Sequence, residues 1–177
     1  MRMGIIDPIS KYFFEKELLS HRYRNPGAPP LKDVRSILLI ISEPDRQDTK
    51  ALLNLADERF PNLESKMAVV VTTDKETAPQ DGDVVVLGRK DFSWKKTVKV
   101  LSDHPWLQKP FDMLINFDTA EDDRTHFISA AAKAELKVGH CANPWKIYDL
   151  LMEGENSSCE TRWNHLSELL KSINADL

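Results

Sequence analysis

SILLII, residues 36–41, decides how this chain is read. Its apolar, largely branched side chains do not alternate with polar ones, so a strand here must be covered on both faces, the condition of a parallel sheet with helices above and below. Working forward, DRQDTKALLNLADERF (45–60) repeats Leu52, Leu55, Ala56 and Phe60 at helical spacing, and KMAVVVTT (66–73) is a second doubly buried strand. Together they form a βαβ unit. DVVVLG (83–88) is a third strand, reached through about ten loop residues, near the minimum for a parallel crossover; the sequence leaves its direction open.

The second half repeats the alternation. FDMLINF (111–117) predicts a strand, DDRTHFISAAAKAE (122–135) a helix and LKVG (136–139) a further strand, while KIYDLLM (146–152) fits either a last strand or one and a half helical turns. CETRWNHLSELLKSI (159–173) predicts a closing helix with Trp163, Leu166, Leu169, Leu170 and Ile173 inward. Ahead of SILLII, residues 1–24 predict a basic amphipathic helix: Asp7 and Pro8 suit its start, and Ile5, Ile9, Tyr12, Leu19 and Tyr23 recur near helical spacing. Residues 25–34, containing NPGAPPL, form a proline-rich linker arm, and residues 35–177 form one α/β domain. The expected architecture is a three-layer α/β/α, Rossmann-like fold with a mostly parallel sheet of five to six strands and a helix at each end of the chain.

A chain of 177 residues buries roughly 70% of its unfolded surface and needs no covalent staples. Composition, 41% apolar and 29% charged with net charge -4, describes a globular protein and argues against a general nucleic-acid binder. The charge is uneven: residues 1–35 hold seven basic against four acidic side chains, so +3 there leaves -7 for the rest. Cys141 and Cys159 stand too far apart for a CxxC pair, which fits a reducing compartment and a cytoplasmic location. The longest apolar run, Ile37–Ile41, is far short of the roughly 20 residues of a membrane-spanning helix.

In open parallel sheets, ligands sit beyond the strand carboxyl ends where strand order reverses. With the order 3-2-1-4-5 that crevice lies between Ser42–Glu43 and Asn116–Thr119, and the candidate ligand-binding residues are Ser42, Glu43, Asn116, Asp118, Thr119, Asp122 and His126. SEPD (42–45) and TAED (119–122) carry the capping-box spacing, with Ser42 and Thr119 accepting from first-turn amides and Asp45 and Asp122 reaching back. Capping, at about 1 kcal/mol each, accounts for most of these acids. The competing use is a magnesium site on Asp118, Glu121, Asp122 and Asp123, but no GxxxxGK[ST] or GxGxxG supplies a phosphate partner, so neither a metal nor a cofactor is expected. Asp122 and His126, at i and i+4, would make an acid/base dyad or a plain surface contact. His140 and Cys141 point to opposite faces, which disfavours a Cys–His nucleophile, and GxSxG is absent, which leaves serine hydrolysis without a foothold.

VRSILLII, KPFDMLINF, THFISAAAKAELKVGH, IYDLLM and the final amphipathic helix, taken in order, resemble an uncharacterised family of short single-domain α/β proteins found mainly in the Bacteroidetes. FDMLINF followed by ISAAAKAELKVGH is also faintly similar to the N-terminal half of heptosyltransferase-like glycosyltransferases, over about thirty core and turn residues. That second resemblance implies an acceptor-side domain alone, since 177 residues leave no room for the half that binds the sugar nucleotide. The expectation is a non-catalytic domain that binds a protein partner or small ligand, with the N-terminal helix as contact surface or homodimer interface; the competing expectation is a transferase- or hydrolase-type enzyme using Asp118, Asp122 and His126.

Overall fold

The computed structural model describes residues 6–21, 33–73, 82–119, 122–140, 145–152 and 158–175. Among them, six strands form one parallel sheet in the order β3-β2-β1-β4-β5-β6: β1 (Ser36–Ser42), β2 (Ser65–Val71), β3 (Val84–Leu87), β4 (Phe111–Asn116), β5 (Ala134–Gly139) and β6 (Leu150–Leu151). The strand order reverses between β1 and β4, which settles an order that the sequence left open, and β3 is parallel, which settles its direction. The 146–152 segment supplies the short edge strand β6.

The buried apolar side chains of the strands divide between two cores. Ile37, Leu39 and Ile41 face α2 (Thr49–Arg59) and α4 (Cys159–Ala175), where Leu52, Ala56, Trp163, Leu166 and Leu170 are buried. Leu38 and Ile40 face the opposite layer, built from α1 (Ile6–His21), α3 (Asp123–Ala131) and the segment around Phe92, Val98 and Trp106. All five residues of Ile37–Ile41 are 0% exposed, the double burial that an unalternating run requires.

Three sequence expectations change. Between β1 and α2 the chain makes a 3-10 segment, Glu43–Asp48, before regular helix begins at Thr49. The helix expected over 122–135 ends at Ala131, because Phe111 N–H bonds the Lys133 carbonyl and Phe111 pairs with Ala134; strand pairing overrides the helix propensity of the alanine run. Among the described side chains of α1, Phe14 and Leu18 are buried in the cluster of Phe127, whereas Tyr12 and Leu19 stand 63% and 53% exposed. The face expected inside is therefore partly outside, because Phe14 and Leu18, one turn apart, offer the more compact apolar pair. Within the expected arm, residues 25–32 lie outside the described residues, as does Cys141, whereas Val34 is buried at 1% exposure in the core cluster of Ile37 and Leu39.

Candidate functional site

Ser42 and Glu43 stand at the end of β1, Asn116, Asp118 and Thr119 at that of β4, and Asp122 and His126 at the start of α3, all at the carboxyl edge of the sheet, while Glu121 lies outside the described residues. Ser42 ends β1, is buried and caps the 3-10 segment without a side-chain hydrogen bond, so the first expected capping box does not form. Glu43 instead turns to the end of β2, where its Oε2 accepts from Thr73 N–H at 2.9 Å and Thr73 Oγ1 at 2.5 Å. Those bonds hold its carboxyl below the ordinary 4.5. Asp45 pairs with Arg162 of α4 at 2.8 Å rather than with a helix amide.

At the end of β4, Asn116 Oδ1 accepts from Asp118 N–H at 2.9 Å. Asp118, 2% exposed, accepts from Asp122 N–H at 2.9 Å and from Thr125 Oγ1 at 2.8 Å. The cap of α3 is Asp122, not Thr119: Asp122 Oδ1 accepts from Arg124 N–H at 2.9 Å, two residues on. The second capping box is thus replaced by a shorter Asx cap, and Asp118 takes the amide expected to reach Thr119. Arg124 grips the Asp122 carboxylate through Nε and Nη2 and donates Nη1 to the Thr72 carbonyl at 2.9 Å, joining α3 to the end of β2. Burial raises the Asp122 carboxyl, but the bonds and charge of Arg124 outweigh it and keep it below 3.8. Asp123 pairs outward with Lys96 at 2.6 Å.

His126 is 4% exposed and does not meet the Asp122 carboxylate; its backbone N–H bonds the Asp122 carbonyl, as helical geometry dictates, and its ring turns inward. There Nδ1 lies 3.0 Å from Tyr148 Oη, which also receives Asn116 Nδ2 at 2.6 Å and lies 3.2 Å from Ser129 Oγ. The expected Asp122–His126 dyad is replaced by this Asn116–Ser129–Tyr148–His126 network, with Trp145 edge-on to the imidazole. Gly139 makes room for it: a Cβ there would stand 2.6 Å from the Tyr148 ring.

On the other face of the sheet, His140 follows β5 and looks toward α4. Arg162, buried at 2% exposure, donates to the Phe117 carbonyl at 2.5 Å and to Asp45. Desolvation, then the nearby charges of Arg162 and His165 against that of Asp45, hold His140 down to about 4.

Arg124, Tyr148, Ser129 and Arg162 escaped sequence reasoning because the contacts that bring them to the strand ends, with Thr72, Asn116, Phe117 and Asp45, join residues far apart in the chain, beyond any local spacing rule. The glycine closing β5 was the one local signal of a close approach. Chemically, the crevice offers carboxylates committed to amides and arginines; among the described residues no group of three His, Cys, Asp or Glu side chains is placed to hold a metal ion. No helix among the described residues is long and apolar enough to cross a membrane.

No curated protein and no solved structure matches the chain. A family profile does, over residues 7–173, a span running from α1 to near the end of α4 and taking in the whole sheet and its carboxyl-end network. The chain belongs to DUF6913, a family of unknown function.

Proposed function

We propose that the chain is a non-catalytic binding domain, working in the cytoplasm, that docks an acidic protein partner through the outward face of α1. The observation that carries this is where the apolar surface lies: of the six large hydrophobic side chains exposed among the described residues, Tyr12, Phe13 and Leu19 are on α1 and Trp94 touches it. Phe13 lies edge-on to both Tyr12 and Trp94, at 5.6 and 6.0 Å, so the aromatics form one patch rather than scattered exposures. Lys95 stands over the Phe13 and Trp94 rings, and Lys11 and Lys16 are exposed on the same helix. Aromatic anchors ringed by cations suit a partner with an apolar groove and acidic rim. In this reading residues 1–24 are the contact helix, 25–34 the connecting arm and 35–177 the body, whose net -6 disfavours nucleic acid as the partner.

The test compares the full chain with a Tyr12→Ser, Phe13→Ser, Trp94→Ser variant, which alters exposed groups only. Proteins crosslinked to each are identified, and the partner is then purified and titrated. Support is at least a tenfold weaker Kd for the variant, with affinity falling as salt rises. Equal recovery by both chains, or a wild-type homodimer in sedimentation that the variant loses, overturns the acidic-partner reading, the second by making another copy of the chain the occupant.

A transferase- or hydrolase-type reading draws on one observation, the half-buried Tyr148 phenol bonded to His126. The faint similarity of FDMLINF followed by ISAAAKAELKVGH to heptosyltransferase-like glycosyltransferases would make the chain a lone acceptor-side domain with no donor site, which counts against catalysis by the monomer. Melting with magnesium and a panel of sugar nucleotides separates this reading from the first: a ligand of the native state raises Tm by mass action.

A further inference from the structure

The crossover from β3 to β4 is made without an α-helix, and its first part, residues 88–99, gathers five basic side chains against one acidic. In a chain of net charge -4, that +4 leaves -8 for the rest. α1 does not share the excess, since Ile6–His21 carries two lysines against three acids. The one acid of the segment, Asp91, is committed to the Gly88 N–H, which donates to its Oδ2 at 2.8 Å. Lys95 pairs with Glu17 of α1 at 3.5 Å and Lys96 with Asp123 of α3 at 2.6 Å, so both help to hold the segment down. Arg89, Lys90 and Lys99 are different: all three are exposed, and none makes an ion pair among the described residues. Lys99 Nζ donates to the Lys90 carbonyl at 2.6 Å and Lys99 N–H to the Asp91 carbonyl at 2.9 Å, which draws its charge onto the 3-10 turn Arg89–Asp91. An ammonium has three donors, so two stay available.

The segment is held rigidly. Phe92 and Val98 pair across a hairpin and are both buried in the cluster of Phe14 and Phe127. Ser93 N–H bonds the Thr97 carbonyl at 2.8 Å, Thr97 Oγ1 donates to Glu17 of α1 at 3.3 Å, and Ser10 Oγ of α1 donates to the Trp94 carbonyl at 3.3 Å. Hairpin and α1 are thus fastened together, and Val100 places a further exposed apolar side chain directly after Lys99. We propose that this hairpin reads the charge of the docked protein: Arg89, Lys90 and Lys99 receive an extended segment rich in Asp and Glu, while the aromatic side chains around Trp94 take its apolar anchor. The inference rests on the docking reading of α1 and adds what that surface recognises and where. Gathered like charges repel one another, and carboxylates bound among them relieve that repulsion in a preorganised site. A long polyanion such as a nucleic acid would overrun the three cations onto a body of the same sign as itself, whereas a short acidic segment would not.

The probe is a fluorescein-labelled dodecapeptide of glutamates with one central leucine, titrated into the full chain at low and high salt. Wild type is expected to bind it and to release it as salt rises. Arg89→Gln, Lys90→Gln and Lys99→Gln together should weaken binding about tenfold, about two- to threefold for each exposed charge removed. Failure of wild type to bind, or equal binding by wild type and the triple variant, overturns the inference. If that equality comes with loss of the peptide in the Tyr12→Ser, Phe13→Ser, Trp94→Ser variant, the docking reading of α1 stands without the hairpin. Loss in the charge variant alone supports the hairpin and counts against α1. Tighter binding of a dodecamer of thymidylate, or of phosphatidylcholine vesicles containing phosphatidylserine, overturns the acidic peptide as occupant. Should the triple variant fail to fold, Arg89→Gln and Lys90→Gln decide singly: each must weaken the peptide about two- to threefold, and no change in either sinks the idea.

Discussion

Asp118 Oδ2 accepts the backbone N–H of Asp122 at 2.9 Å from a position only 2% exposed, so a carboxylate at the crevice is engaged by the amide of the residue that caps α3. Removing it in Asp118→Ala leaves that amide without its acceptor, whereas the Thr125 hydroxyl can fall back on the Asp122 carbonyl, 2.8 Å away. One orphaned, nearly buried donor costs about 1–3 kcal/mol, and for a chain of this length that is a fall in Tm of roughly 3–10 °C. Asp118→Asn keeps an acceptor oxygen and should lose about half as much. Thermal melts of both variants check the order; an unchanged Asp118→Ala would mean that the carboxylate is spare and open to chemistry.

Thr119 and Asp122 compete on paper for the same capping role, and the geometry gives it to Asp122. Thr119→Ala is therefore expected to shift stability by no more than about 0.5 kcal/mol, while Asp122→Ala loses a cap worth about 1 kcal/mol plus part of the Arg124 contact. Because the folded carboxyl titrates below 3.8, its contribution is complete above that pH and disappears as pH falls through the lower folded value. Urea midpoints taken at pH 7 and pH 3 should show Asp122→Asn converging on wild type only at the acid end.

Gly139→Ala forces a methyl carbon to within 2.6 Å of the Tyr148 ring, which cannot move without leaving Asn116 and His126. Overpacking of this kind costs about 1–3 kcal/mol. In a Tyr148→Ala background the same change should be nearly free, and that difference, read from denaturant melts, isolates the contact. A full penalty in both backgrounds would place the strain in the backbone of β5 instead.

What was legible in advance divides by the range of the interaction. Ile37–Ile41 declared its strand because double burial imposes an unalternating pattern on five consecutive residues, and the alternation of strands and helices announced a mostly parallel sheet, but the strand order with its reversal between β1 and β4 came only from the structure. The residues around the crevice were also visible, since helix starts advertise their acids. Their partners were not. Glu43 reaches Thr73, Asp45 reaches Arg162 and Arg124 reaches Thr72, pairings made by the sheet's carboxyl edge and invisible to i, i+3 or i, i+4 counting. In α1 the spacing pointed to Tyr12 and Leu19, whereas Phe14 and Leu18 are the residues buried in the cluster of Phe127, a choice made by tertiary packing.

That choice gives the two stripes opposite sensitivities. Phe14 and Leu18 are 2% and 0% exposed, in the same cluster as Phe127, with the Phe14 ring 5.3 Å from that of Trp145. Phe14→Ala should cost about 3–5 kcal/mol and Leu18→Ala about 2–5 kcal/mol, the cost of a cavity in a filled core. Tyr12→Ser and Trp94→Ser, at 63% and 60% exposure, should each stay within about 0.5 kcal/mol. Urea unfolding of the four variants checks the split. The outcome also governs how the contact surface can be probed: deleting residues 1–24 would strip Phe14 and Leu18 from the core and expose Phe127, so lost binding in that truncation would report unfolding as readily as a missing interface. Equal tolerance of all four substitutions would show instead that α1 is not held by its inner stripe, and the aromatic patch would lose the rigid support that makes it a docking face.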